Sequence, residues 1–471
     1  MNRKEFLKRL GMLTVGASLI GVDMDALAAE PAAASSSKLG KGVEEFDHPM
    51  RSLKPETDRP ISVIVIGAGS RGKTYARFAG MYPDAMKVVG VSDLNVFRRK
   101  SMAKLYGVPE ENQFGDFSEV FKREKFADAV VIATPDNLHF DPCMTALSMG
   151  YDVLLEKPAA QTEKECRAIL KQAKKYDRIV AIGHVLRYAP YFVALRHAVQ
   201  SGEIGDLVSI QHQEPIQYAH MAHSYVRGKW RSSKATTPII LAKSCHDLDI
   251  IRWIVNKPCK VVAAEGSLSF FKRENMPEGA TEKCTDGCPH EATCPYSAID
   301  IYVRRKAHLG VFDLPDRRDE KAIMEKIRTT EYGRCVFRCD NDQCDHYVTT
   351  LLFEDGITAS FTMDAFTPWG GRRTRIMGTK GYIEGDGKKF TIIDFRTRKR
   401  KVWNKNIREI EEYKHAGHGG GDVVLTRDFV EAVATHDHNK LSSSIDASIE
   451  SHVIGFKAEE SRLSMRKVKI K

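Results

Sequence analysis

The chain has 471 residues, enough for two or three domains with large cores. Its 42% apolar and 28% charged content is that of an ordinary globular protein, which excludes a disordered or collagenous chain. The net charge of +10 is modest, and its densest basic cluster, Arg396, Arg398, Lys399, Arg400 and Lys401, has no interleaved aromatics. That favours a solvated hairpin edge guarded against strand addition and argues against a nucleic-acid partner.

Residues 1–29 read as an address rather than as structure. Arg3-Lys4-Glu5-Phe6-Leu7-Lys8 precedes a moderately apolar stretch, Leu10 to Val22, and Ala26-Leu27-Ala28 offers a small-residue cleavage site. This resembles a twin-arginine export signal in which Lys4 takes the second arginine position. The expectation is a periplasmic or otherwise exported protein that crosses already folded, through the twin-arginine export machinery. The apolar stretch is too short to span a bilayer comfortably and no later segment comes close, so an integral membrane protein is not expected. Residues 30–60, small and polar from Pro31 to Ser37 and then mixed in charge, read as a flexible tether.

From 61 to about 185, short apolar runs alternate with helical stretches, the signature of βαβ units and a parallel sheet. Ser62 to Ile66 is a β-branched run without polar alternation, and Gly67-Ala-Gly-Ser-Arg-Gly72 follows it. Gly67 permits a tight turn, Gly69 lets backbone approach a pyrophosphate, and Gly72 lets the next helix pack on the sheet. The free N–H groups at that helix start, with Ser70 and Arg71, favour an anion. Asp93, 21 residues beyond Gly72, is placed to accept hydrogen bonds from ribose hydroxyls. Together these predict a dinucleotide site. Asp93 favours NAD, since it would repel a 2′-phosphate, while Arg98 and Arg99 keep NADP in play. Further strands are expected at Val88 to Ser92, Ala129 to Ala133, Asp152 to Leu155 and Ile179 to Gly183, with helices over Asn137 to Met149 and Thr162 to Lys175. Thr134, Asn137, His139, Glu156 and Lys157 then lie at the carboxyl ends of strands, where ligands collect.

Past residue 190, longer alternating runs predict an α/β domain over 186–471 with a large open, mostly antiparallel sheet covered by helices on one face. These landmarks together resemble the glucose–fructose oxidoreductase, inositol dehydrogenase and MocA-like family. The matching pieces are the glycine turn, Ala133-Thr-Pro-Asp-Asn-Leu-His139, Glu156-Lys157-Pro158, Gly183-His-Val-Leu-Arg-Tyr-Ala-Pro190, Ser201-Gly-Glu-Ile-Gly205 and His246-Asp-Leu-Asp249. The resemblance implies a Rossmann domain, hydride transfer between NAD or NADP and a sugar or polyol hydroxyl, and a homo-oligomer built through the open sheet. It places Lys157 beside the nicotinamide and makes His246 the acid/base group, with Arg187 among the cofactor contacts. Many members carry an aspartate four residues before that histidine; here the position is Ala242. The chemistry points to the same pair. Oxidising a secondary alcohol requires a proton acceptor, which histidine suits, and a lysine can stabilise a developing alkoxide. His184, His220 and His223 are weaker candidates.

Cys284-x3-Cys288-x5-Cys294 and Cys335-x3-Cys339-x4-Cys344 concentrate six of ten cysteines in a polar insertion, 272–345. A segment rich in Lys, Arg, Asp and Glu that lacks a clear apolar period orders poorly by burial alone, so a cross-link is expected. Structural zinc held by Cys284, Cys288, Cys294 and Cys335 is the preferred reading, with disulfides and an iron–sulfur cluster as alternatives. Cys143, Cys166, Cys245 and Cys259 read as packing residues. Two other functions stay open: an NAD-dependent glycosidase that oxidises its sugar transiently before elimination, and a non-catalytic sugar-binding relative suggested by Ala242.

Overall fold

The computed structural model describes residues 43–48, 51–404, 413 and 417–470. The expected export signal and the start of the tether lie outside these residues. The first strand, β1 (Val43–Glu45), already departs from the expected tether, because it pairs in parallel with a strand near residue 400. Phe46 and Leu53 are buried in two different cores, and Arg51 pairs with Asp428 at 2.8 Å. Residues 43–48 and 51–60 are therefore part of the folded body, anchored by apolar side chains that mixed charge had masked.

Six parallel strands follow: β2 (Ile61–Ile66), β3 (Met86–Ser92), β4 (Gln113–Phe114), β5 (Ala129–Ile132), β6 (Asp152–Leu155) and β7 (Val180–Ile182). Their spatial order is β4-β3-β2-β5-β6-β7. The order reverses between β2 and β5, so the crevice beyond their carboxyl ends is a topological switch point, where such sheets bind ligands. Helices α1 (Ser70–Met81) and α2 (Val96–Tyr106) cover one face, while α3 (Phe140–Ser148) and α4 (Glu163–Tyr176) cover the other. Burial on both faces is why these strands carry β-branched residues without alternation. Helix α4 starts in a complete capping box between Thr162 and Glu165. The helix expected from Asn137 is delayed to Phe140 by a tight turn, Asp136–Leu138.

Beyond α5 (Pro190–Gln200) come β8 (Leu207–Pro215), α6 (Cys245–Val255) and β9 (Cys259–Ser267). The insertion holds α7 (Glu320–Thr329) and otherwise short turns; β10 (His346–Phe353) and β11 (Thr358–Asp364) follow it. Strands β12 (Arg373–Gly378), β13 (Gly381–Gly385), β14 (Lys389–Asp394) and β15 (Arg400–Asn404) continue the sheet. Two helices, α8 (Gly421–Thr435) and α9 (Ile445–Ser464), precede the last strand, β16 (Val468–Lys469). The second sheet has ten strands in the order β1-β15-β14-β13-β12-β8-β11-β10-β9-β16. Only the β1–β15 and β8–β11 pairings in it are parallel. Strand β10 alternates strictly, with Tyr347, Thr349, Leu351 and Phe353 buried and the residues between them turned outward.

Two boundaries differ from expectation. Helix α8, assigned by sequence to the second domain, buries Val424, Leu425 and Phe429 against Val63, Val65 and Tyr75 of the first. The basic cluster is a β14–β15 hairpin, but β1 covers its edge, and Lys399 and Lys401 pair with Glu44 and Glu203. No helix among the described residues is long and apolar enough to cross a membrane.

Candidate active site

The glycine turn after β2 performs three distinct steric tasks. Gly67 has φ +93°, and a Cβ there would meet the Ala133 carbonyl at 2.6 Å. At Gly72 a Cβ would stand 1.9 Å from the Gly67 carbonyl, so helix α1 can sit this close only without a side chain. Gly69 is different: the nearest protein atom to its Cβ would be an Arg98 nitrogen at 3.7 Å, so the protein itself does not demand glycine there. Gly69 caps α1 without a side-chain partner and the first turn, opening with exposed Ser70, carries no acid. That donor set fits a diphosphate. Asp93 accepts the Ala68 and Asn95 amides at 2.7 and 2.8 Å, which fixes the turn and leaves further lone pairs on its carboxylate.

The other expected cofactor residues divide. Asn137 is exposed on its turn, and Thr134 donates its hydroxyl to the Leu138 carbonyl at 2.7 Å. His139 departs from expectation: it is buried, with ring nitrogens 2.7 Å from the Pro158 carbonyl and 3.0 Å from that of Thr134. It staples the β5 loop to the Lys157 loop. Arg187 also departs. Its guanidinium grips Asp249 in a bidentate pair at 2.7 and 2.6 Å and donates to Ser442 and Ala447 carbonyls. His184 Nδ1 lies 2.9 Å from the same aspartate. Arg71, expected at the anion site, is drawn into a buried network instead. It binds Glu156, Tyr75 and Asp422, and His418 Nδ1 lies 3.0 Å from Asp422. Burial pushes the Glu156 carboxyl up, but Arg71 and Lys157 outweigh it and hold the group below its ordinary range.

Lys157 and His246 meet across the boundary between the two sheets. The Lys157 amine donates to the Ala242 carbonyl at 2.6 Å. Where relatives are expected to use an aspartate side chain, this chain thus offers a main-chain acceptor at the same position. His246, in the first turn of α6, is 7% exposed, and its Nδ1 is buried without a hydrogen-bond partner. Burial first, then the nearby Lys157 and Arg372 cations, hold its pKa well below 6.5, so it is a neutral imidazole at physiological pH. Its ring faces His184 and His418, with centroids 6.2 and 5.9 Å away.

An ion network from the second sheet supports this pair. Lys243 lies 2.7 Å from Glu214 on β8, and Arg372 reaches Glu214 at 3.1 Å and Asp247 at 2.6 Å. His212 holds Asp247 at 3.0 Å and Thr374 at 2.8 Å. Burial raises the Asp247 carboxyl, yet Arg372 and His212 keep it well below the usual carboxylate range. Sequence reasoning missed Glu214, Arg372, His418 and Asp422. The glycine run Gly417, Gly419, Gly420 and Gly421 around His418 was an available signal, as was the Gly370-Gly371 pair before Arg372.

Of the weaker histidines, His184 faces His246 and His220 lies within reach of the Lys243 and Lys157 charges, whereas His223 packs away from the pair. His223 donates to or accepts from Tyr302 at 2.8 Å and stacks on His308, and His220 stacks on the same ring. Asp136, also unflagged by sequence, accepts from Trp230 and Thr237 at 3.1 and 3.0 Å and ties the β5 loop to the second domain. No disulfide joins any of the ten cysteines, and burial pushes the thiols of Cys166, Cys245 and Cys259 up to about 12, as befits packing residues.

Comparison with known proteins converges on one family. A model described as an oxidoreductase family with an NAD-binding Rossmann fold matches residues 61–184, and one described as its C-terminal alpha/beta domain matches 196–470. The Bacillus subtilis (strain 168) protein YteT is 25% identical over 350 residues, 70% of this chain and 78% of that protein. An inositol 2-dehydrogenase of Klebsiella pneumoniae is 30% identical over 193 residues, 41% of this chain and about half, 53%, of that enzyme. Among solved structures, levoglucosan dehydrogenase in complex with NADH has a TM-score of 0.65 at 17% identity, covering 88% of this chain and 100% of that one. The apo scyllo-inositol dehydrogenase of Lactobacillus casei gives 0.58 at 17% identity, covering 88% and 99%; at these identities the likeness shows the fold alone. With both family models spanning nearly all of the chain beyond residue 60, the protein belongs to the Gfo/Idh/MocA family of NAD-dependent oxidoreductases.

Proposed function

We propose that this protein transfers a hydride between NAD and a hydroxyl of a sugar, sugar derivative or polyol. The observation that carries the reading is a lysine amine held by the Ala242 carbonyl, its charge acting on a buried, neutral histidine whose Nδ1 has no partner. NAD, held at Gly67, Gly69, Gly72 and Asp93, would supply the hydride acceptor. His246 takes the hydroxyl proton, for which a neutral imidazole is the competent form. Lys157 donates to the substrate oxygen and stabilises the charge that develops there. Glu214, Lys243 and Arg372 offer charged and hydrogen-bonding groups suited to several hydroxyls. The Ala242 substitution does not require a non-catalytic role, since its carbonyl still positions Lys157.

NAD is favoured over NADP because Arg98 is already engaged by Asp313 at 2.8 Å, while Arg99 donates to the Asp93 carbonyl. The same contact, reaching from the insertion to the Rossmann domain, favours a second reading in which cofactor is retained and recycled by a glycosidase. Export through the twin-arginine machinery to the periplasm is part of the proposal, supported by the sequence of residues 1–29. So is a homo-oligomer formed through the open sheet face that exposes Val208, Val348 and Leu352.

The test is to incubate the purified chain with NAD or NADP and a panel of sugars, polyols and aryl glycosides, following reduced nicotinamide and released aglycone. Net reduction of NAD in step with product supports the dehydrogenase. Aglycone release with no net reduction supports the recycling glycosidase, and turnover that survives Lys157→Ala and His246→Ala contradicts both.

A further inference from the structure

The active site leaves unexplained a thiol cluster in the insertion. Cys284, Cys288, Cys294 and Cys335 line one cleft, with Arg227 on its wall. Backbone pairing assembles it: Cys284 N–H donates to the Gly333 carbonyl at 3.0 Å, and Cys335 N–H to the Glu282 carbonyl at 2.9 Å. These bonds flank an antiparallel bridge between Lys283 and Arg334, which brings the fourth thiol to the other three. Cys339 is excluded, because it lies outside the cleft and its thiol donates to the Cys335 carbonyl.

Two observations show that the cleft is built for negative charge. The Cys284 sulfur accepts the Ala298 amide at 3.4 Å and the Arg227 guanidinium at 3.7 Å, the role of a thiolate. Arg227 is 1% exposed and donates to the Arg334 and Tyr296 carbonyls at 2.6 and 2.7 Å, but its Nη1 is buried without a partner and among the described residues it makes no ion pair with a carboxylate. A guanidinium buried this way is costly unless an anion faces it, and neutral thiols or disulfides supply none. Thiolates bound to a metal centre do.

Sulfur spacing then distinguishes the centres. Tetrahedral zinc with Zn–S near 2.3 Å holds its sulfurs about 3.8 Å apart. Among the described residues only Asp177, His436 and His438 bring three such ligand atoms within 4.8 Å of one another, so no three of these sulfurs are that close. The preferred zinc reading therefore fits poorly. A cluster that gives each thiolate its own iron sets the sulfurs further apart and fills the space between them. We propose that Cys284, Cys288, Cys294 and Cys335 ligate an iron–sulfur cluster, with Arg227 as its buried counter-charge. The cluster cross-links the two cysteine-bearing segments of the insertion, and the ordered insertion carries Asp313 to Arg98.

The experiment is to purify the full chain without oxygen and to measure iron, zinc and acid-labile sulfide per chain, with visible absorption before and after dithionite. The proposal expects iron and sulfide in equal amounts, several of each, and visible absorption that bleaches on reduction. Cys288→Ala and Cys335→Ala should lose most of both, while Cys339→Ala and Cys259→Ala retain them. Stoichiometric zinc without labile sulfide, or metal-free protein with all ten thiols titratable, overturns it. The composition of the unaltered chain decides the matter even if the cysteine variants fail to fold.

Discussion

Single residues separate the roles of binding, chemistry and packing. Gly69→Ala adds a methyl where only Arg98 stands nearby, so thermal stability should be unchanged while NAD affinity falls more than tenfold. Gly72→Ala drives a methyl against the Gly67 carbonyl and should cost about 1–3 kcal/mol of stability in denaturant titration. Equal stability losses in the two variants would contradict the division of labour within the turn. His246→Leu removes a buried polar atom that has no partner, so the fold should be as stable as before or more so. Its kcat/KM should nevertheless drop about 100- to 10,000-fold, the usual worth of a general base. A stability loss with activity retained would mark His246 as structural.

At the scale of elements, the insertion couples to the cofactor end of the Rossmann domain. Asp313→Ala frees Arg98 beside Asp93, and binding calorimetry should show NADP gaining about tenfold in affinity, roughly one charge-assisted hydrogen bond. An unchanged NADP affinity would mean that Arg98 does not face the ribose. The parallel strands and capped helices were legible in sequence because local signals decide them. Ile61–Ile66 is apolar throughout, and Thr162 and Glu165 form their box within one turn. What was not legible depends on contacts between distant segments. Arg187 and His139 stand in the right motifs, yet their partners Asp249 and Pro158 claim them. Helix α8 has the pattern of any buried helix, and nothing local reveals that it returns to the first sheet. Residues 43–60 look like a linker because the strand that holds β1 lies more than 350 positions away.

The whole molecule buries several imidazoles in the neutral form, and this sets its acid tolerance. Burial, foremost among the causes, lowers His220 to about 3, His223 to about 2 and His452 to about 3, and pushes His246 well below 6.5. Each takes up its proton near 6.5 only when unfolded, so its contribution is intact above that pH and is lost as pH falls. The expected slope is about 1.4 kcal/mol per group for each unit below 6.5, measurable by urea unfolding one unit either side of that value. A flat profile there would mean that these rings are solvated. The central claim is that one crevice holds the dinucleotide and the reacting hydroxyl, with each domain supplying one of the two groups that act on it. A crystal structure of the chain with NAD tests it most directly. The diphosphate should rest on Gly69 and the start of α1, with the nicotinamide between Lys157 and His246; a dinucleotide bound elsewhere, or none at saturating concentration, would contradict the account.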